Sequence, residues 1–270
     1  MRPAITRIRA TRSTPASFTT SLRGIFVAAD RAAASGAPVV PASMPALLPL
    51  VRLLQLASPT LPIGAYSYSQ GLEWAVESGE VCDGVTARAW IGDLLDCVVT
   101  PGEAAAAWRL LDAARNDRWP AFATWNAWFR ASRETAELRA ETEQTGGSLA
   151  KLLQDLELLD PRAMETLPTL APVTLPAAYA LAARAFAVPI DAALTAYVWS
   201  WLENQVLAAI KLVPLGQVAG QRLLMALGER IPRVVAIAMT IDDADLSTFA
   251  PGLCLASARH ETQYSRLFRS

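Results

Sequence analysis

The sequence predicts an all-α fold, a single-domain bundle of roughly eight to ten helices. Apolar residues recur at three- and four-residue spacing over most of the chain after Met44, which is the period of buried helix faces. Alternation typical of strands is nearly absent, and residues 234–241 are its one weak candidate. The chain has 270 residues, of which 53% are apolar and 18% charged. The length leaves room for one large globular domain or two small ones, and the composition excludes a disordered or fibrous protein.

Residues 1–43 differ in composition from the rest of the chain. They contain six Arg but a single acid, Asp30, and are rich in Ser, Thr, Ala and Pro. A basic, acid-poor leader of this kind can be a transit peptide. We favour a disordered leader or an upstream start codon, with the working chain beginning at Met44. The predicted division is therefore residues 1–43 and residues 44–270.

The helices follow from local patterns along the chain. Thr100-Pro101-Gly102-Glu103 offers an N-cap, a proline at the first helical position and a capping-box acid, and predicts a new helix from Ala104. A charged, solvated helix leads into Gly146-Gly147. Four prolines make residues 161–176 a long connection. The predicted helices span residues 87–98, 104–114, 119–130, 132–143, 190–213 and 217–227.

The longest predicted helix, residues 190–213, carries the strongest pattern. It is apolar on several sides, which indicates a position in the bundle centre or in an interface. Glu203 and Lys211 nevertheless lie within it, and buried polar groups need partners inside the bundle or across an interface. Lys211 could instead extend its ammonium group to solvent.

Composition excludes several classes of function. With 24 basic and 25 acidic residues the net charge is −1, so no global basic field attracts nucleic acid. The two long uncharged stretches contain prolines and do not suit a membrane span. Three cysteines without CxxC spacing argue against a disulfide framework or a zinc finger and favour a cytoplasmic setting. These are Cys82, Cys97 and Cys254.

His260 is the one histidine in the chain. This excludes HExxH and multi-His metal sites and leaves a Ser-His-acid triad a single possible base. No GxxxxGK[ST] or GxGxxG motif occurs, so no phosphate-binding loop is visible. We expect no catalytic residue set and no tightly bound metal or cofactor.

Two further segments combine polar residues with few evident core positions. Residues 56–74 have two prolines, a turn glycine and two possible helix-capping serines, typical of a loop-to-helix junction or a binding surface. In the tail, Leu267 and Phe268 are flanked by Arg266 and Arg269, which suits docking into a partner groove or packing on the chain's own bundle. A shared helical face is predicted for Leu253, Ala256, His260, Tyr264 and Leu267.

These segments, in this order, resemble the UreF family of urease accessory proteins. The resemblance runs from about Leu47 to Ser270. The motifs that carry it are LQLASPTLPIGAYSYSQGLEW, SRETAEL, SWLENQVLAAIKLVPLGQVAGQRLL and FAPGLCLASARHETQYSRLFRS.

The resemblance implies an all-α, non-enzymatic cytoplasmic protein that supports nickel insertion into apo-urease. Members of that family join a second accessory protein, UreD (also called UreH), recruit the GTPase UreG and typically form homodimers. Nickel is then handled by the complex, and GTP is bound by UreG. The resemblance places Lys211 among residues that gate signalling between UreG and urease, and the tail in contact with UreD. We expect residues 259–270 to become ordered only on binding UreD.

Two hypotheses from different classes follow. The first is a maturation scaffold with no catalytic or metal-ligating residues, no nucleic-acid partner and no membrane partner. The alternative is a helical hydrolase or lyase that uses Tyr66, Tyr68, Glu73 and His260. For the scaffold, the candidate partner-binding residues are Ser67, Tyr68, Ser69, Gln70, Glu73, Glu203, Lys211, Pro214, Gly216, Gln217, Arg259, His260, Glu261, Tyr264, Leu267 and Phe268.

Overall fold

The computed structural model describes residues 47–170 and 172–269, and the predicted division after residue 43 lies outside them. These residues form a helical bundle without a strand, which confirms the predicted all-α, single-domain fold. Ten of the α-helices in these two ranges have ten residues or more. No helix in this part of the chain is long and apolar enough to cross a bilayer. The α-helices are α1 (Leu47–Leu56), α2 (Leu72–Glu77), α3 (Gly84–Leu94), α4 (Ala105–Arg115), α5 (Trp119–Ala131), α6 (Ala136–Asp155), α7 (Pro161–Thr166), α8 (Leu175–Ala185), α9 (Ile190–Leu212), α10 (Gln217–Gly228), α11 (Ile231–Thr240) and α12 (Pro251–His260).

Two helices form the centre of the bundle. Helix α8 is Ala-rich and buried from Pro176 to Ala183, and it packs between α4 and α6. Helix α9 packs against α2, α4, α10 and α11, and its buried residues lie on several sides, as the sequence predicts. It ends where Val213 takes an extended conformation, which the following Pro214 favours.

The segment around Pro101 differs from the prediction. No new helix begins there; a π-helix, Leu95–Ala104, joins α3 to α4 with Pro101 inside it. The Thr100 hydroxyl donates to the carbonyl of Leu95 at 2.7 Å instead of capping a helix. A π-helical turn accommodates the missing proline N–H within a helix that stays continuous. Tertiary packing has overridden a strong local capping pattern.

Three other predictions about local structure need correction. Residues 234–241 do not form a strand, because α11 includes residues 234–240 and buries Val234, Val235 and Ala238. The proline-rich connection contains α7 and a 3-10 turn, Leu167–Leu170. Helix α6 does not end at its glycine pair but continues to Asp155.

The glycine pair in α6 is explained by one close approach. A Cβ atom at Gly146 would lie 2.6 Å from the amide nitrogen of Leu175 and 2.6 Å from the carbonyl oxygen of Val173. A Cβ atom at Gly147 would have no atom within 4 Å. Gly146 therefore lets the start of α8 pack directly on the backbone of α6, whereas Gly147 has no such role.

This contrast gives a matched pair of substitutions. Gly146→Ala should lower the free energy of unfolding by about 2–3 kcal/mol, because backbone atoms must move apart. Gly147→Ala should leave it unchanged or raise it by up to about 1 kcal/mol, because alanine is the better helix former. Urea denaturation of the two variants and the wild type measures both effects. Equal stability of the two variants would contradict the close-packing explanation.

Candidate functional site

The site is organised around the carboxylate of Glu73, in the first turn of α2. Its Oε1 accepts the backbone N–H of Leu267 at 2.6 Å, and its Oε2 accepts that of Phe268 at 2.9 Å. Oε2 also lies 3.1 Å from Nε2 of His260. The Glu73 side chain is buried, and a buried carboxylate is stable only when donors surround it. We call Glu73, His260 and Glu137, with these two backbone N–H groups, the tail clamp.

His260 joins two carboxylates at the C-terminal end of α12. Its ring is fully buried, and Nδ1 lies 2.8 Å from Oε2 of Glu137. The other oxygen of Glu137 accepts Nη1 of Arg266 at 3.0 Å. The imidazole of His260 thus lies between two carboxylates, Glu73 in the first turn of α2 and Glu137 in the first turn of α6.

The rest of α12 is fastened to the segment that starts α6. The hydroxyls of Thr135 and Ser257 are 2.7 Å apart, and the thiol of Cys254 donates to Glu134. Burial, followed by the neighbouring Glu134, raises the pKa of Cys254 to about 11, so its thiol keeps its proton at neutral pH. The SRETAEL motif therefore holds the C-terminal motif in place.

Residues 261–269, which we call the tail, are not helical and lie on the bundle. Phe268 is only 6% exposed, and Nζ of Lys211 lies 5.4 Å from its ring centroid. The backbone N–H of Arg269 donates to the carbonyl of Ser67 at 2.8 Å. Tyr264 is fully exposed and Leu267 is 65% exposed. Two expectations fail here: α12 ends before the predicted face reaches Tyr264, and the tail is already held in the chain alone.

The loop before α2 is fastened to two long helices. The hydroxyl of Tyr68 donates to Oε1 of Gln144 at 2.6 Å, and the carbonyl of Tyr68 accepts Nδ2 of Asn204 at 3.0 Å. Burial raises the pKa of Tyr68. The hydroxyl of Tyr66 donates to Oε2 of Glu203 at 2.9 Å. Burial, followed by Glu203, raises the pKa of Tyr66, so both phenols stay protonated donors.

Gln70 is the strained point of this loop. Its φ is 52°, an uncommon conformation for a residue with a side chain. Its amide holds two helices together, donating to Oε1 of Glu141 at 2.9 Å and accepting Nε1 of Trp201 at 2.8 Å. Gly71 follows with φ 80°, and a Cβ there would lie 3.1 Å from that of Ala256. Glycine at this position lets α12 pack against the loop.

A small cavity of about 80 Å³ lies beneath the loop. Its lining includes a charged pair: the hydroxyl of Tyr197 donates to Glu103 at 2.8 Å, and Arg133 lies 3.3 Å from the same carboxylate. Burial raises the pKa of Glu141, on the wall, to about 8, so this carboxyl is mostly neutral at pH 7. Its apolar walls include Leu61, Ile63, Leu138 and Leu175.

Comparison with known proteins identifies the family. A family model described as UreF matches residues 81–228. A urease accessory protein UreF from Azoarcus sp. (strain BH72) is 54% identical over 226 residues, covering 83% of this chain and 97% of the relative. This chain belongs to the UreF family. The UreF proteins of Janthinobacterium sp. (strain Marseille) and Dechloromonas aromatica (strain RCB) are each 52% identical, covering 82% and 84% of this chain and 98% and 100% of their own length. The resemblance drawn from the sequence motifs is confirmed.

The structure of this UreF chain brings together most of the predicted site residues. Pro214, Gly216 and Gln217 stay apart, exposed at the turn between α9 and α10, and Arg259 and Glu261 are exposed beside the tail clamp. The residues that meet in or next to the clamp and its loop are Ser67, Tyr68, Ser69, Gln70, Glu73, Glu203, Lys211, His260, Leu267 and Phe268.

The arrangement gives no support to the hydrolase or lyase hypothesis. Glu73 and His260 are neighbours, but both are buried and occupied by structural hydrogen bonds. Tyr66 and Tyr68 point to Glu203 and Gln144 rather than to that pair. Within residues 47–170 and 172–269, no group of three or more His, Cys, Asp and Glu side chains is placed to hold a metal ion. The absence of a tight nickel site remains a prediction.

Several residues that build the site are absent from the predicted set. Glu137 and Arg133 belong to the SRETAEL motif. The charged residues of this motif were the indication in the sequence that these two positions could belong to the site. Glu141 and Gln144 lie one and two turns further along α6. Glu141 belongs to the segment predicted to be solvated, and its burial could not be inferred because it is imposed by residues distant in the sequence. Gln144 is exposed, and its contacts with Tyr68 and Arg269 likewise come from distant segments.

Glu141 generates a prediction about pH. Glu141→Gln keeps an acceptor for Gln70 and removes the titrating group. Because the pKa is about 8 in the folded chain against an ordinary 4.5, the folded state retains a proton that the unfolded state loses between these values. Wild-type stability should therefore fall relative to Glu141→Gln as the pH rises from about 5 to 8, by on the order of a few kcal/mol.

Urea denaturation at pH 5, 6.5 and 8 measures this difference. Glu165→Gln is the control, because Glu165 is 72% exposed and should leave the wild-type profile unchanged. A difference between wild type and Glu141→Gln that stays constant across the three pH values would show that Glu141 does not titrate in this range.

Proposed function

We propose that this UreF chain is a non-catalytic scaffold that joins UreD and the GTPase UreG and supports GTP-dependent insertion of nickel into apo-urease. In this proposal nickel is cargo of the complex, GTP is bound by UreG, and the chain works in the cytoplasm as a homodimer. Membership of a family of urease accessory proteins supports a role in urease maturation.

The observation that carries the proposal is how the tail is held. The clamp fixes the backbone N–H of Leu267 while leaving that side chain 65% exposed. Tyr264 is fully exposed a few residues earlier. An exposed side chain on a fixed backbone, as at Leu267, suits a binding anchor because less conformational entropy is lost on association, and the exposed ring of Tyr264 adds an aromatic contact.

The surrounding charge indicates the kind of surface that would receive these anchors. Arg259, Arg266 and Arg269 are exposed on either side of them. Arginines around an apolar centre favour an apolar groove with an acidic rim. We assign this surface to UreD, the partner that the family resemblance gives to the tail.

Lys211 links the tail to the longest helix of the bundle. It lies in the last turn of α9, where the helix dipole favours a cation, and its ammonium group lies over the ring of Phe268. This contact supports a role for Lys211 in transmitting the state of the tail, in keeping with the gating role that the resemblance implies.

Capture by tagged UreD tests the proposal. Tyr264→Ala/Leu267→Ala should reduce capture of this chain at least tenfold, because both anchors are lost, and should abolish urease activation in cells. The melting temperature should change by no more than about 2 °C, because neither side chain is buried.

Leu156→Ala is the matched control. Leu156 is 52% exposed and follows the C-terminal end of α6, about 28 Å along the helix from Glu137. This variant should bind UreD and activate urease as the wild type does. Undiminished capture of the double variant would contradict the assignment of the tail, and failure of the wild type to form a complex with UreD and UreG would contradict the scaffold function.

A further inference from the structure

The cavity beneath the loop before α2 contains a carboxyl group that the fold uses only in part. Glu141 lines this cavity and is 8% exposed. Its Oε1 accepts the side-chain amide of Gln70 at 2.9 Å. Its Oε2 has no hydrogen-bond partner among residues 47–170 and 172–269, yet it is not fully enclosed by neighbouring atoms. We therefore place Oε2 of Glu141 at the surface of the cavity.

The protonation state of Glu141 decides what this oxygen can bind. Burial raises the pKa of Glu141 to about 8, so the carboxyl group keeps its proton at pH 7. Because Oε1 accepts from Gln70, the proton belongs on Oε2 and makes it a hydrogen-bond donor. A buried donor without an acceptor is unfavourable. A ligand atom that accepts this hydrogen bond would therefore stabilise the site.

An unused acceptor lines the same cavity. Asn204 is 7% exposed and lies in the cavity wall. Its Nδ2 donates to the carbonyl of Tyr68 at 3.0 Å, whereas its Oδ1 has no hydrogen-bond partner in the described part of the chain and is not fully enclosed. An amide oxygen is an acceptor only. The cavity thus offers one donor, from Glu141, and one acceptor, from Asn204.

The charges that line the cavity cancel. Glu103 lies 3.3 Å from Arg133 and accepts the hydroxyl of Tyr197 at 2.8 Å, and all three residues line the cavity. With Glu141 neutral, these residues have no net charge. Transfer of a charged ligand from water into this enclosure would lose hydration without gaining a counter-charge. The chemistry of the lining therefore favours a neutral ligand.

The other walls are apolar and limit the size of the ligand. The cavity has a volume of about 80 Å³, whereas a cavity of about 150 Å³ lined by Leu, Ile and Phe holds benzene. A ligand of about three to five non-hydrogen atoms therefore fits this space. The apolar side chains that line the cavity include Leu61, Ile63, Phe129, Leu138 and Leu175.

We propose that the cavity binds a small neutral carboxamide with a short alkyl group. The carbonyl oxygen of the ligand accepts the hydrogen bond from Oε2 of Glu141, and its N–H group donates to Oδ1 of Asn204. The alkyl group contacts the apolar walls, as is usual in small-molecule sites. Residues 57–66 form one side of the cavity and include exposed positions, so the ligand enters past this segment. This binding site goes beyond the scaffold function.

Methyl NMR spectra of the full chain test this inference, with acetamide as the probe. Titration should shift the methyl signals of Ile63 and Leu138 saturably, while those of Leu255, which is 65% exposed on α12, should not move. Acetone has a similar shape but no N–H donor, so it should bind at least fivefold more weakly than acetamide. The inference is overturned if acetamide gives no saturable shift, or if acetone binds equally well.

The pH dependence of binding identifies the donor. Between pH 6.5 and pH 9.0 the dissociation constant for acetamide should rise about tenfold in the wild type, because the protonated fraction of Glu141 falls. Glu141→Gln keeps an N–H donor at every pH, so its dissociation constant should not change over this range. The titratable and charged residues Tyr66, Glu103, Arg133 and Tyr197 also line the cavity and are retained in this variant. A pH dependence that persists in Glu141→Gln would therefore contradict the role of Glu141.

Filling the cavity provides a second test. Ala57→Leu places a larger side chain in the cavity lining and should weaken acetamide binding at least tenfold. Ala236→Leu is the matched control, because Ala236 is exposed on α11, and it should bind acetamide as the wild type does. Both variants should keep the wild-type helical circular dichroism. Unchanged binding by Ala57→Leu would show that acetamide binds elsewhere and would overturn the inference.

Discussion

The constraint on which the rest of the site depends is the burial of one carboxylate. Glu73 lies in the first turn of α2, and its charge must be met by donors from elsewhere in the chain. Those donors come from the C-terminus: two successive backbone N–H groups of the tail and the ring of His260. His260 in turn fixes Glu137 at the start of α6. A single buried acid thus ties together the first and last motifs of the family sequence and the SRETAEL block between them.

The individual helices could be predicted from the sequence because the spacing of apolar residues indicates which face of a helix is buried. Residues 190–213 form the central helix α9, as their pattern indicates. The predictions that fail concern segments whose conformation depends on packing against residues far away in the sequence. Pro101 stays inside a continuous helix, although the residues around it have the pattern of a helix start. Gly146 permits a close contact with α8 instead of ending α6. Likewise Glu73 and His260 are 187 residues apart, and no spacing rule connects them; the sequence motifs indicated that both segments mattered but not that they meet.

Helix α9 connects the tail to the centre of the bundle. Its last turn carries Lys211, whose ammonium group lies over the ring of Phe268, and its body packs against α2, α4, α10 and α11. At 23 residues it is about 34 Å long, and it is buried on several sides, so the tail lies against a long and rigid element. Such a geometry suits a scaffold, which acts by holding partners in register rather than by chemistry of its own.

Amide hydrogen exchange of the free chain tests the central claim most directly, because the tail clamp consists of backbone N–H groups. In the wild type, the amides of Leu267 and Phe268 should be protected well above the exposed residues around Tyr264. In Glu73→Ala that protection should be lost, while the amides in the middle of α9, such as Leu202, should remain protected. Rapid exchange of Leu267 and Phe268 in the wild type, or unchanged protection in Glu73→Ala, would show that the buried carboxylate does not hold the tail.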